Sequence, residues 1–342
     1  MPSAFCICGL KYLLRNPTDD SPAVPAMDSM ATIGSAAAGR THRAPLAWIL
    51  LTITSLCWSA NTVFAKLAVG EVSPMTLVAL RWMLVVVALA PFARKPLTKD
   101  WATLRPHLAR IAAMGALGFT LFNVLFYIAA HHTSAVNLGI TQAVMPIFIF
   151  LIAFVRFRIS VTPLQMLGVV AAVAGVMLVA AQGDWHRFVT IQFNSGDLTT
   201  IGATLLYAAY TVALRTRPVV SPLSFFAVLA GAALITAVPL AAYEWLAGDA
   251  IWPTETGWAL ITAIALFPSL LGQLLFIRGV EIIGPGRAGL FVNLTPVFAA
   301  GLAVAFLGES FHWYHGAALA LVFLGIWASE RGGRGSRQAV AK

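Results

Sequence analysis

One basic side chain sits deep in an apolar run. Arg81 lies about 10 Å beyond Pro74, counted at roughly 1.5 Å per helical residue. An arginine stays charged at any working pH, so at that depth it needs acceptors or an anion. Two readings are open. The guanidinium holds the carboxylate of a bound molecule, or it pairs within the protein with Glu71 or Glu309; the internal pairing is favoured. Five amides, Asn61, Asn123, Gln142, Gln273 and Asn293, lie inside other apolar runs, where an unsatisfied amide costs several kcal/mol. Singly, each reads as an interhelical hydrogen bond worth about 0.6 kcal/mol in a bilayer. As a set they read as the lining of a shared polar cavity. Trp58 and Asn61 are three residues apart, as are Tyr207 and Tyr210, so each pair shares a helix face. Aromatic bodies with polar tips suit a mostly apolar ligand oriented by a few polar groups.

Other chemistries find no residues to perform them. All 13 acidic residues and all seven histidines map to loops, tails or the ends of apolar runs. There is no Gly-Lys-Ser/Thr phosphate loop, no Gly-x-Ser-x-Gly elbow and no His-Glu-x-x-His helix. Cys6, Cys8 and Cys57 make neither a disulfide framework nor a metal spacing, and Cys57 reads as a small buried hydrophobe. His131-His132 and His312/His315 lack carboxylates or cysteines at ligand spacing. No catalytic residue, cofactor or metal is expected.

The elements that must hold these side chains follow from composition. Of 342 residues, 59% are hydrophobic and 10% charged, against about 25% charged in a soluble domain. Such a chain has too little polar surface for water, so its solvent is lipid. Runs of about 20 apolar residues, the length that crosses a bilayer, fall near 46–68, 74–93, 111–130, 134–155, 162–181, 197–214, 221–243, 257–277, 284–307 and 311–328. Placing the N-terminus in the cytoplasm puts 19 of the 22 basic residues on that side. Only Lys66, expected to snorkel, and Arg187 fall opposite, with Arg81 inside the second span. An odd number of spans scrambles this bias, so both termini are expected in the cytoplasm. The net charge of +9 is then a topology signal, and no nucleic-acid partner is expected. Residues 1–45 read as a disordered cytoplasmic leader or as an over-called start, with Met27 or Met30 the initiator.

The two halves repeat at an offset close to 150. LCWSANTVFAK in the first span matches LLYAAYTVALR in the sixth, and Val-Ser-Pro opens both the second and the seventh. Asn123 pairs with Gln273, Phe126 with Phe276, Pro146 with Pro296 and Gly175 with Gly325. An odd number of spans per copy inverts the second copy in the membrane. The expected fold is all-α integral membrane, ten transmembrane helices as two inverted five-helix repeats. The first repeat covers 46–181 and the second 196–329, with a linker at 182–195 and a basic cytoplasmic tail at 330–342. Pro146 and Pro296 are expected mid-span, kinking their helices as a hinge or cavity wall. Gly168, Gly175, Gly316 and Gly325 allow spans five and ten to approach their neighbours closely.

Four local patterns resemble the drug/metabolite transporter superfamily, in its ten-helix EamA-type branch. They are Trp58-Ser-Ala-Asn61 with Lys66; Leu80-Arg81-Trp82; Ser134-Ala135 followed by Pro146; and, in the second half, Gly196-Asp-Leu, Tyr207-Ala-Ala-Tyr210, Pro296 and Leu307-Gly-Glu309-Ser. One departure is clear: the first-copy position paired with Glu309 is Ile159, where the family often has an acid. The resemblance implies a secondary transporter of small organic metabolites, an exporter of amino acids or related compounds, in a bacterial-type cytoplasmic membrane. Proton-coupled relatives use a first-helix glutamate, whereas this first helix presents Trp58 and Asn61, so uniport-like or weakly coupled transport is expected. An intramembrane enzyme or a non-transporting membrane sensor is the alternative. Expected partners are a small-molecule substrate and the lipid bilayer, with a homodimer left open.

Overall fold

A computed structural model describes residues 44–157, 162–184, 194–283, 291 and 294–340, all in helices, turns and short connections with no strand among them. Four helical runs are long and apolar enough to cross a membrane: Pro45–Leu67, Pro74–Ala130, Pro222–Leu246 and Glu255–Val280. The second of these is 57 residues long, about 85 Å if straight, against roughly 30 Å of hydrocarbon. It doubles back at a 3-10 turn, Arg105–His107, which contains Pro106. Trp82 then stacks on Phe119 with centroids 4.8 Å apart, from opposite arms of the same run.

In chain order the helices are α1 (Ala44–Leu67), α2 (Pro74–Leu104), α3 (Leu108–Gly115), α4 (Phe122–Ala130), α5 (Ala135–Thr141), α6 (Met145–Phe157) and α7 (Pro163–Ala180). The second half has α8 (Ser195–Ala213), α9 (Pro222–Leu246), α10 (Glu255–Ile264), α11 (Gly272–Ile283), α12 (Thr295–Leu307) and α13 (Trp313–Val340). A π-helical segment, Ala116–Leu121, joins α3 to α4, and another, Ala265–Leu271, joins α10 to α11. They occupy the same place in each half. Such segments are rare and concentrate where a helix must re-aim side chains.

Pro146 and Pro296 each stand in the first turn of a helical segment, α6 and α12. There the missing N–H has no intrahelical partner to lose. α5 ends at Thr141, and a 3-10 turn, Gln142–Val144, leads into α6.

Residues from every connection that the charge pattern assigns to the outer side meet at one end of the bundle. Glu244, near the C-terminus of α9, takes the Met75 and Thr76 N–H groups at 3.0 and 2.8 Å and the Ser73 and Thr76 hydroxyls at 2.7 and 2.8 Å. Pro74 has no N–H, so these bonds satisfy the donors that the first turn of α2 leaves open. Glu309 does the same for α5, accepting from Ala135 and Val136 N–H at 2.8 and 2.9 Å. Asp197 accepts from the Thr133 hydroxyl, and Glu71 from the Thr254 hydroxyl. Lys66 does not simply snorkel: its ammonium donates to the Ala130 and Thr133 carbonyls at 2.9 and 3.0 Å, closing the C-terminus of α4. At the opposite end Asp100 accepts from Ser221 N–H ahead of α9, and Arg110 donates to Ala213 O.

Close packing of the halves depends on small residues. A Cβ on Gly115 would meet Leu229 O at 2.8 Å and Ala232 Cβ at 3.0 Å, so α3 lies almost directly on α9. Gly115→Val is expected to lower the unfolding free energy by about 1–3 kcal/mol, as overpacking does elsewhere. Thermal unfolding in detergent would check it. α13 packs along α7, which brings the helix that carries Gly168 and Gly175 against the one that carries Gly316 and Gly325. Cys57 is buried, as a small hydrophobe would be.

Candidate functional site

Arg81 is 6% exposed and forms the centre of a polar node. Its Nε donates to Ser269 Oγ at 2.6 Å, and its Nη1 to Asn123 Oδ1 at 2.6 Å and to Tyr127 OH at 2.8 Å. The favoured sequence reading, a pairing with Glu71 or Glu309, is therefore wrong. Both acids are engaged at the end of the bundle, and all three acceptors around Arg81 are neutral. They are themselves held in place. Tyr127 OH donates onward to Asn61 Oδ1 at 2.9 Å, and the Asn123 amide nitrogen donates to Phe119 O in the first π segment. Ser269 sits in the second π segment and donates to Ile264 O at 2.7 Å, five residues back. The node thus bridges the two irregular segments, one from each half.

The aromatic candidates flank it. Trp58 Nε1 donates at 3.2 Å to the carbonyl of Pro268, the residue before Ser269, and its ring lies 5.2 Å from Phe276. Gly272 leaves room for this indole, since a Cβ there would sit 3.0 Å from Nε1. Tyr207 and Tyr210 lie 5.2 Å apart, and Tyr207 is 4.9 Å from Phe122. Tyr210 is buried in a stack with Phe119, itself on Trp82, and contributes packing.

Three sequence candidates stand apart from the node or have no place in it. Gln142, in the 3-10 turn after α5, donates back to Leu138 O of that helix. Gln273, the repeat partner of Asn123, is half-buried, and its side chain takes no part in the node. Asn293 lies outside the described residues, as do residues 1–43 of the leader and most of the linker. Sequence reasoning missed Tyr127 and Ser269. Tyr127 was findable: it stands four residues after Asn123, on the same helix face. Also missed was a hydroxyl stripe on α1. Ser55 and Ser59 donate to Phe291 O and to Thr295 O, in the first turn of α12, at 2.6 and 2.8 Å, tying the first span to the second half.

Two stretches of the chain, residues 45–181 and 194–329, each match the model of the EamA-like transporter family. The chain belongs to that family. It is a multi-pass membrane protein and a transporter built of two copies of the family's unit. Among relatives, the uncharacterized transporter YyaM of Bacillus subtilis (strain 168) is 28% identical over 82% of this chain and 92% of its own length. An uncharacterized transporter of Archaeoglobus fulgidus is 25% identical, covering 76% of this chain and 89% of its own. A protein of known crystal structure shares the fold at a TM-score of 0.57 and 20% identity, covering 86% of this chain and 99% of that one.

For this transporter, Tyr127→Phe removes one acceptor from Arg81 and one donor from Asn61 without changing volume. The expected outcome is a transport kcat/KM lower by about tenfold, the worth of one or two such bonds, with unchanged membrane insertion. Initial-rate flux in vesicles at matched protein levels would measure it.

Proposed function

We propose that this EamA-family member spans the membrane ten times as two inverted five-helix repeats and exports amino acids or related compounds by alternating access. It acts as a carrier and not as an enzyme, in a bacterial-type cytoplasmic membrane with both termini inside. One observation supports the reading above the others: the buried polar node draws ligands from both halves. Arg81, Asn123, Tyr127 and Asn61 come from the first, and Ser269 with the Pro268 carbonyl from the second. A carrier of inverted repeats binds its cargo at such a seam, where rocking one half against the other exposes the site to each side in turn. The membrane and the cargo class follow from the family resemblance.

Coupling is proposed to be uniport-like or weak, because no described carboxylate belongs to the node. Two experiments test the proposal. Cells overproducing the protein are expected to release more of at least one amino acid or analogue than cells producing a Tyr127→Phe variant. A clean panel of amino acids and toxic analogues would count against the exporter reading. Reconstituted vesicles are expected to show flux that an imposed pH gradient does not drive stoichiometrically; strict proton coupling would refute the uniport reading.

A further inference from the structure

The guanidinium of Arg81 carries five N–H donors. One on Nε and two on Nη1 go to Ser269, Asn123 and Tyr127, leaving Nη2 without a hydrogen-bond partner among the described residues. The charge meets the face of the Trp82 ring, 5.2 Å from Cζ, but no described anion. Glu244 and Glu309 are used on the first turns of α2 and α5, Asp197 on Thr133, Glu71 on Thr254 and Asp100 on Ser221. A buried cation ringed only by neutral acceptors is destabilising unless an anion completes it. Here the cation is also held rigid, since each acceptor is fixed by a further bond, so little reorganisation opposes the anion's arrival.

The same surroundings disfavour a second charge of the opposite kind. A zwitterionic ligand whose carboxylate meets Nη2 would bring its ammonium within a few ångströms of the guanidinium. No described carboxylate of the node would receive it, and Asn61 Oδ1 already accepts from Tyr127. Like charges at such separations repel by about 1–4 kcal/mol, depending on the effective dielectric. The body of the ligand meets a different environment. Trp58 donates to the carbonyl of Pro268 and packs on Phe276, so aromatic surface lies on the same π segment that supplies Ser269 to the cation.

We infer that, within the class of compounds in the proposed function, the preferred cargo is an organic monoanion: a carboxylate on an apolar body of aromatic size, without an ammonium group. This rests on the node being the cargo site. The test uses the purified full-length protein with four matched probes: phenylpropanoate, phenylalanine, phenylpropanamide and phenylethylamine. Binding is read from ligand-induced stabilisation against unfolding, and movement from uptake into reconstituted vesicles. Phenylpropanoate is expected to bind about 10- to 100-fold tighter than its amide, the worth of a charged hydrogen bond, and about tenfold tighter than phenylalanine. Arg81→Gln is expected to abolish the acid's advantage over the amide. The ligand series on the unaltered protein decides the matter even where that variant fails to fold. Equal or tighter binding of phenylalanine or phenylethylamine overturns the monoanion inference and leaves the exporter reading standing. Equal binding of acid and amide overturns the role of Arg81. Failure of all four to bind or move overturns the inference, and failure of the cellular efflux panel as well removes the exporter reading with it.

Discussion

Glu244→Ala is expected to destabilise the protein by about 3–5 kcal/mol, the usual consequence of deleting one partner of a buried charged network. Four bonds disappear at once: two from the α2 backbone and two from the hydroxyls of Ser73 and Thr76. The donors left behind are buried, Thr76 and Ser73 being 3% and 2% exposed, so water does not readily replace the carboxylate. Glu244→Gln should fall between, because an amide keeps one acceptor oxygen but turns an N–H₂ toward groups that are themselves donors. Unfolding by heat or SDS, followed by circular dichroism in a fixed detergent, would measure both. A loss below about 1 kcal/mol for the alanine variant would mean that the α2 terminus is satisfied in another way.

Gly118→Ala should be the most damaging single methyl in the membrane. A Cβ at that position would lie 2.4 Å from Cγ and 2.6 Å from Cβ of Tyr210, inside any tolerable contact. The methyl meets the root of the Tyr210 side chain, so a rotation of the ring alone does not relieve it. The stack of Trp82, Phe119 and Tyr210 must open or α8 must retreat. A cost of about 3 kcal/mol is expected, at the upper end of ordinary overpacking. The pairing with Tyr210→Ala makes the test specific. If this contact is the cause, the double variant should lose less than the sum of the singles by about 1–3 kcal/mol. Strict additivity would place the damage elsewhere.

The residues show why some of this was readable in advance. Charge bias and the recurrence of Val-Ser-Pro, Asn123/Gln273 and Pro146/Pro296 are properties of neighbouring or evenly spaced positions, which a linear chain displays. Among the described residues, the connections that this bias assigns to the outer side meet at one end of the bundle, and Asp100 with Ser221 and Arg110 with Ala213 meet at the other. Arg81 was recognisable as a cation in need of company, and Asn123 as an interior amide. Their meeting was not, because two apolar runs that double back, as 74–93 and 111–130 were expected to, leave open which faces and depths oppose each other, and so do not show that positions 42 residues apart come into a 2.6 Å bond. Acids drew attention as counter-charges for Arg81. Yet Glu71 and Glu309 are more useful at helix ends, where open N–H and hydroxyl donors compete for them. Ser269 gave no signal, since a lone serine among apolar residues commonly bonds back to its own helix.

The paired π segments have a historical consequence. A π turn accommodates one more residue than an α turn, and each extra residue rotates the downstream turns by about 100° around the helix axis. Ala116–Leu121 and Ala265–Leu271 make the same departure at equivalent points of the two copies. A single insertion in the ancestral unit, before it doubled into the two copies present here, accounts for both. Deleting one residue from the first segment would then turn back the clock on a single copy, swinging Asn123 and Tyr127 away from Arg81 while Ser269 kept its place.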